Sequence, residues 1–297
     1  MKEVIESREV ITLDAGGILL RGTYHRCEGE LPDSPPAPSK SNRIGVLLLN
    51  SGFLPRAAFG DSAVYWADSF AKCGYPSFRF DLPGLGDSEG NLPVQMLDLV
   101  HLVNAGRYAP LLSTAAKSLT ARFNLFGVVV MGLCAGAVSA IYTAAASTEV
   151  KGLVLLDPYF YLQQAGTNRY RVRAHMSNLF NNLKHFSLFS CTKKVPRNAN
   201  LALIRCWTRL ASAGVPMLVL TASTSKPEVG EFDYLFQLTS QYSRIIVKHI
   251  ERTDHSFVKA PGKAATRAQI EEWLADYFPL ARNGATACLR ARAAINA

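Results

Sequence analysis

Cys134 stands in Gly132-Leu133-Cys134-Ala135-Gly136, a spacing suited to an exposed nucleophile. An apolar, β-branched run from Phe126 to Met131 leads into it, and an alanine-rich segment follows. That order reads as buried strand, sharp turn, helix, the context of a nucleophile elbow. The flanking glycines leave room for backbones that pass close by, while the turn lifts the side chain above the sheet. A helix beginning at about Ala135 aims unpaired N–H groups and its positive end at the thiol, which favours the thiolate. The same residues would also suit a buried structural cysteine at a tight strand–helix contact.

A thiol is only a few per cent thiolate at neutral pH, so it needs a base or a lowered pKa. Among six histidines, His255 alone lies in a loop directly after a late strand and before a helix, in Thr253-Asp254-His255-Ser256-Phe257. This puts it at the same carboxyl edge of the sheet as Cys134. His25, His101, His175, His185 and His249 fall in strands, helices or a long excursion without a motif, and read as structural.

The positioning elements follow from periodicity. Glu9–Leu13 and Ile18–Tyr24 flank Asp14-Ala15-Gly16-Gly17 and read as a hairpin. A proline-rich surface loop over 28–42 precedes the strand Ile44–Leu49, which runs into Asn50-Ser51-Gly52-Phe53. A helix is expected over about 61–73, a strand over 77–80, and a second helix within 94–118. After the strand and helix around Cys134 come strands at 152–156, 215–221 and 244–249, then a helix over 265–277. Alternating strands and helices imply a largely parallel sheet with helices on both faces. No internal repeat is visible.

The 297 residues, with 48% hydrophobic and 19% charged, suit a globular protein with a sizeable core. No signal-peptide core opens the chain and no window nears the roughly 18 apolar residues of a membrane span, so a cytoplasmic protein is expected. The six cysteines have no metal-type pairing, which predicts free thiols, no metal and no cofactor. The net charge of +9 points to an acidic partner or substrate.

Asp81-x-Pro-Gly-x-Gly-x-Ser88, the elbow at Cys134 and Asp254-His255-Ser256-Phe257 resemble, in order and spacing, the α/β-hydrolase fold over most of residues 8–278. Within that fold, Gly-Leu-Cys-Ala-Gly-Ala and Glu231-Phe232 are most similar to the exosortase-associated hydrolases, which often accompany acyl-activating ligases and carrier proteins. A similar cysteine elbow occurs in dienelactone hydrolases. The resemblance implies an oxyanion hole from the N–H groups of Ala135 and, from the Asn50–Phe53 loop, Phe53. Ser51-Gly52 replaces the usual His-Gly there, and the loop would also fit a plain tight turn.

The acid of such a triad usually follows the strand 217–221, but Ser225 occupies the expected position. Asp157, in Leu155-Leu156-Asp157-Pro158, is the favoured substitute from the neighbouring strand end, ahead of Glu231, Glu228 and Asp233. Asp157 would otherwise only cap a turn before Pro158.

The resemblance also implies a lid, which divides the chain into core 1–157, lid 158–210, core 211–280 and tail 281–297. Between Asp157 and Glu228 there is no Asp or Glu, against ten Lys or Arg and many aromatic residues. A basic, aromatic lid suits an acyl chain carried on coenzyme A or an acidic carrier protein, and no nucleic-acid motif accompanies the charge. The expected function is acyl transfer through a Cys134 thioester, as a thioesterase, acyltransferase or cyclase. The alternatives are a dienelactone-hydrolase-like esterase and a non-catalytic accessory that binds a carrier protein.

Overall fold

The computed structural model describes residues 7–27, 43–162, 198–223 and 242–280. The strands β1 (Arg8–Asp14) and β2 (Leu19–His25) form the expected hairpin, with Asp14 opposite Leu19. β2 also pairs antiparallel with β4 (Ser77–Phe80). From β4 onward the pairing is parallel, through β3 (Ile44–Leu49), β5 (Gly127–Leu133), β6 (Val150–Leu156), β7 (Met217–Ala222) and β8 (Ile245–Ile250). The eight strands lie in the order β1-β2-β4-β3-β5-β6-β7-β8.

Among the described residues six α-helices flank the sheet: α1 (Ser62–Lys72), α2 (Met96–Asn104), α3 (Ala109–Arg122), α4 (Ala135–Ala146), α5 (Leu201–Ser212) and α6 (Ala260–Tyr277). A parallel strand covered on both sides must be apolar throughout, and every residue of β5 is buried. Its alternate residues feed two cores. Val128 and Val130 pack with Leu112, Leu119, Val138 and Trp207 of α3, α4 and α5. Val129, Met131 and Leu133 pack with Trp66, Phe70, Ile270 and Trp273 of α1 and α6. The carboxyl ends of β3, β5, β6, β7 and β8 are thereby fixed along one edge, where the chemistry-bearing residues lie.

Two expectations on element bounds change. The helix expected within 94–118 is two helices, α2 and α3, because Pro110 lacks the N–H to continue a helix and starts α3 instead. Pro261 likewise starts the last helix at 260 and not 265. Residues 201–212 form α5, whose Leu203 and Trp207 are fully buried against the sheet core, so this helix is a covering layer of the fold. Asn200 caps it by accepting from Leu203 N, and its amide also donates to the Asn104 carbonyl.

Among the described residues no helix is long and apolar enough to cross a membrane, and no group of three His, Cys, Asp or Glu could hold a metal ion. Cys27, Cys73, Cys134 and Cys206 are free thiols.

Candidate active site

Cys134 is the pivot between β5 and α4, with φ 54° and ψ −113°. A non-glycine residue held at positive φ costs about 1–3 kcal/mol and persists only where its surroundings over-determine it. They do so here. Cys134 N–H donates to the Leu156 carbonyl at 2.9 Å, and the Cys134 carbonyl accepts from Ala137 and Val138 at 3.0 and 3.2 Å. The two glycines make the turn possible by their size. A Cβ on Gly132 would lie 2.2 Å from the Gly136 carbonyl carbon. One on Gly136 would lie 2.6 Å from the Asn50 carbonyl oxygen. The elbow is thus wedged between the ends of β3 and β6.

Asp157 is the first residue beyond β6, at φ 41° and completely buried. Its Oδ2 is 2.9 Å from His255 Nδ1, and its Oδ1 accepts the Ala222 N–H at 2.9 Å. Both carboxylate oxygens are therefore occupied, which offsets the cost of burying the group. With Nδ1 turned to Asp157, Nε2 is left for the thiol. The hydrogen bonds to Asp157 and then to Cys134 push the His255 pKa up to about 10. The loop carrying His255 is held on both sides. Ser223 Oγ donates to the Thr253 carbonyl at 2.7 Å and accepts its N–H at 3.2 Å. Asp254 Oδ1 accepts the Ser256 N–H at 3.1 Å, and Phe257 anchors the loop in the core at φ 55°.

The raised pKa has a measurable consequence. His255 titrates at 6.5 when unperturbed and at about 10 in the folded protein. Its stabilising contribution is therefore complete below 6.5 and is lost as pH rises through about 10. In thermal unfolding, the Tm gap between wild type and His255→Gln should be widest near pH 6 and should close toward pH 10. A gap independent of pH would contradict the pairing.

The loop after β3 faces the elbow. Gly52 has φ +62°, and among the described residues neither the Phe53 N–H nor the Ala135 N–H has a backbone acceptor. The loop is tied down at its ends and not at its tip. Asn50 Nδ2 donates to the Leu54 carbonyl at 2.8 Å, and Asn50 Oδ1 accepts from Leu82 N at 3.2 Å. The buried Asp81 carboxylate accepts the Arg56 N–H at 2.6 Å and pairs with the Arg56 guanidinium, which also holds Asp87 at 3.0 Å. Ser88 Oγ donates back to the Asp81 carbonyl at 2.8 Å. The Asp81-x-Pro-Gly-x-Gly-x-Ser88 segment is thus a clamp on the Phe53 loop.

Neither a family model nor a curated protein sequence matches the chain. Solved structures do. The Pyrococcus furiosus esterase Pf2001 is similar over 91% of this chain and 91% of its own, at 14% identity and TM-score 0.62. TT1662 from Thermus thermophilus is similar over 92% and 99%, at 15% identity and TM-score 0.60. A dienelactone hydrolase-like promiscuous phosphotriesterase, P91, from metagenomic libraries is similar over 91% and 98%, at 14% identity and TM-score 0.56. With the strand order above, these likenesses decide the architecture. The chain has the α/β-hydrolase fold.

In this α/β-hydrolase fold His255 is hydrogen-bonded to Asp157 and interacts with Cys134, and the end of β3 that leads to Phe53 approaches the elbow at Gly136, next to Ala135. Glu228, Glu231, Asp233 and Ser225 lie outside the described residues, as do His175 and His185. The other histidines have structural settings. His25 is buried between Asp68 at 2.7 Å and Arg79 at 2.8 Å, and burial lowers its pKa to about 4. His101 lies in α2, and His249 pairs with Thr221 Oγ1 at 3.0 Å on β8. Sequence reasoning missed Arg56 and Ser223, which fix the two loops. Neither carries a local signal, because each acts on a segment 25 or 30 residues away.

Proposed function

We propose that the chain is an acyl-transfer enzyme that forms a thioester on Cys134. The observation that carries this reading is the hydrogen bond from His255 Nδ1 to the buried Asp157, which leaves Nε2 for the half-buried Cys134 at its strained turn. In the proposed reaction His255 already carries the proton, as its raised pKa requires, and Sγ attacks the carbonyl carbon of an acyl thioester as the thiolate. The negative charge that gathers on the carbonyl oxygen is met by the N–H groups of Phe53 and Ala135. Collapse of the tetrahedral intermediate breaks the bond to the departing sulfur, which takes the proton from His255. Water, an alcohol or an amine then attacks the acyl-Cys134, giving its proton to His255. Collapse breaks the Sγ–acyl bond, releases the product and returns Cys134 and His255 to their starting state. Asp157 holds the imidazole in the required tautomer throughout. No step needs a metal or a cofactor.

Thioester substrates are favoured because thiol–thioester exchange is nearly balanced and leaves an acyl group still reactive toward amines. A lactone or ester hydrolase is the second reading, supported by the likeness to an esterase and to a dienelactone hydrolase-like protein. A non-catalytic carrier-binding role is the third. Intact-protein mass spectrometry with a panel of acyl thioesters and matched oxygen esters separates them. The proposal expects an acyl mass added by thioesters and absent in Cys134→Ala. Turnover of lactones or oxygen esters without a thioester adduct would replace it with the second reading, and no turnover at all would favour the third.

The carrier is proposed to be coenzyme A or an acyl carrier protein, on the strength of the ten cationic residues between Asp157 and Glu228. Of these, Arg205 and Arg209 lie on α5, with Arg209 bonded to the Ala145 carbonyl, and the rest fall outside the described residues. Long-range attraction is screened over about 8 Å at physiological salt. The second-order rate with a coenzyme A or carrier thioester should therefore fall steeply as salt rises, while a short neutral thioester responds far less. Changing Arg169, Arg171 and Arg173 to Glu should reproduce that contrast. Equal responses of both substrates would remove the anionic carrier.

A further inference from the structure

Tyr159 is buried two residues beyond Asp157 and is not accounted for by the proton path or the oxyanion donors. Its backbone is fixed by its neighbours. The Phe160 carbonyl accepts the Asn200 N–H at 2.7 Å, Tyr161 bridges Ala199, and Leu162 N–H donates to the Asn198 carbonyl at 2.6 Å. Side chains alternate along such an extended segment. Phe160 turns into the core, edge-on to Trp207 with ring centroids 5.5 Å apart. Tyr159 packs on Tyr161, with centroids 5.1 Å apart. Tyr159 belongs to the packed cluster that Cys134 borders, and the Cys134–Leu156 hydrogen bond holds the elbow to the strand end from which Tyr159 departs.

Two properties of the Tyr159 hydroxyl point to a ligand. The hydroxyl of a tyrosine whose ring is buried ordinarily finds a hydrogen-bond partner at its polar tip. Among the described residues the Tyr159 hydroxyl has no such partner, whereas the neighbouring Tyr142 hydroxyl meets the Asn104 carbonyl at 2.9 Å and Asn200 Oδ1 at 3.2 Å. Burial, and after it the charge of Cys134, raise the Tyr159 pKa far above the usual range, so it remains a donor at any working pH. Its position also assigns its target. Strand order puts β6 on the opposite side of β5 from β3, so Tyr159 and the Phe53 loop flank Cys134 from opposite sides. Tyr159 therefore addresses a part of the substrate other than the oxyanion.

We propose that Tyr159 is a specificity-determining residue whose hydroxyl donates to an oxygen substituent on the acyl chain held at Cys134, so that the enzyme takes hydroxy- or oxo-acyl groups in preference to plain aliphatic ones. This rests on the acyl-Cys134 reading above.

The test compares butyryl with 2-, 3- and 4-hydroxybutyryl thioesters of N-acetylcysteamine, using wild type and Tyr159→Phe, and reads both kcat/KM and the acyl-Cys134 mass. Wild type should favour at least one hydroxylated member over butyryl by about tenfold, the discrimination a site hydrogen bond to a substrate oxygen supplies. Tyr159→Phe should erase that preference while keeping or raising the butyryl rate, which also shows that the variant folds. Wild type without preference, or a variant that slows all four substrates alike, overturns the assignment while the acyl-Cys134 adduct still forms. Absence of an adduct from every substrate overturns the acyl-enzyme reading and this inference with it.

Discussion

Cys134→Ala should lower kcat/KM on a short acyl thioester by on the order of 10⁴-fold or more, as expected when a nucleophile that acts as a unit with its base is removed. Thermal stability should change far less than the rate, since Cys134 is only half-buried and the substitution removes a single sulfur atom. Limited alkylation makes an independent check. Cys27 and Cys73 are buried, and burial raises the pKa of the half-buried Cys206, so iodoacetamide should modify Cys134 before any of these. Equal labelling of the accessible cysteines, together with an undiminished rate in Cys134→Ala, would sink the covalent mechanism.

The second large effect is expected at Asp157. In serine triads, losing the orienting carboxylate costs about 10⁴-fold. A thiol needs less help, so Asp157→Asn should fall short of that while still exceeding the effect of Glu231→Gln by a wide margin. The geometric reason is that Asp157 meets His255 Nδ1 at 2.9 Å while its other oxygen is held by Ala222 N–H, so the amide cannot satisfy both sites as an acceptor. Asparagine must either turn its NH₂ toward Ala222 or force His255 into the other tautomer. Circular dichroism and Tm should be measured alongside the rate, because Asp157 is wholly buried. If Glu231→Gln proves the more damaging change, the acid belongs to the loop after β7. If neither variant slows turnover, Cys134 and His255 act as a dyad.

Local chemistry determined the elbow from sequence alone. The strand-forming run before Gly132, the glycines at 132 and 136 and the alanines after Cys134 are all within a dozen residues, and each has one steric consequence. The alternation of apolar strands with helices likewise specified the parallel sheet, because only a doubly covered sheet tolerates strands as uniformly apolar as β5. His255 was legible for a similar reason, being the one histidine between a late strand and a helix. The helix starts beside Pro110 and Pro261 differ from the bounds that periodicity implies, since a proline that ends one helix can as readily begin the next.

The carboxylate was a different matter. Sequence left Asp157 among four acids, because which one reaches His255 depends on the register of β6 against β7 and on a contact spanning 98 residues. Tertiary structure brought Asp157 to His255 through backbone that no local propensity selects, at φ 41°, and fixed it with an N–H from the strand that more often supplies the acid itself. The clamp from Arg56 and Asp81 on the Phe53 loop, and the burial of Tyr159 beside Cys134, are products of the same closure. Partners of this kind are chosen by how packed strand ends meet, a property of the whole sheet and not of any stretch of the chain.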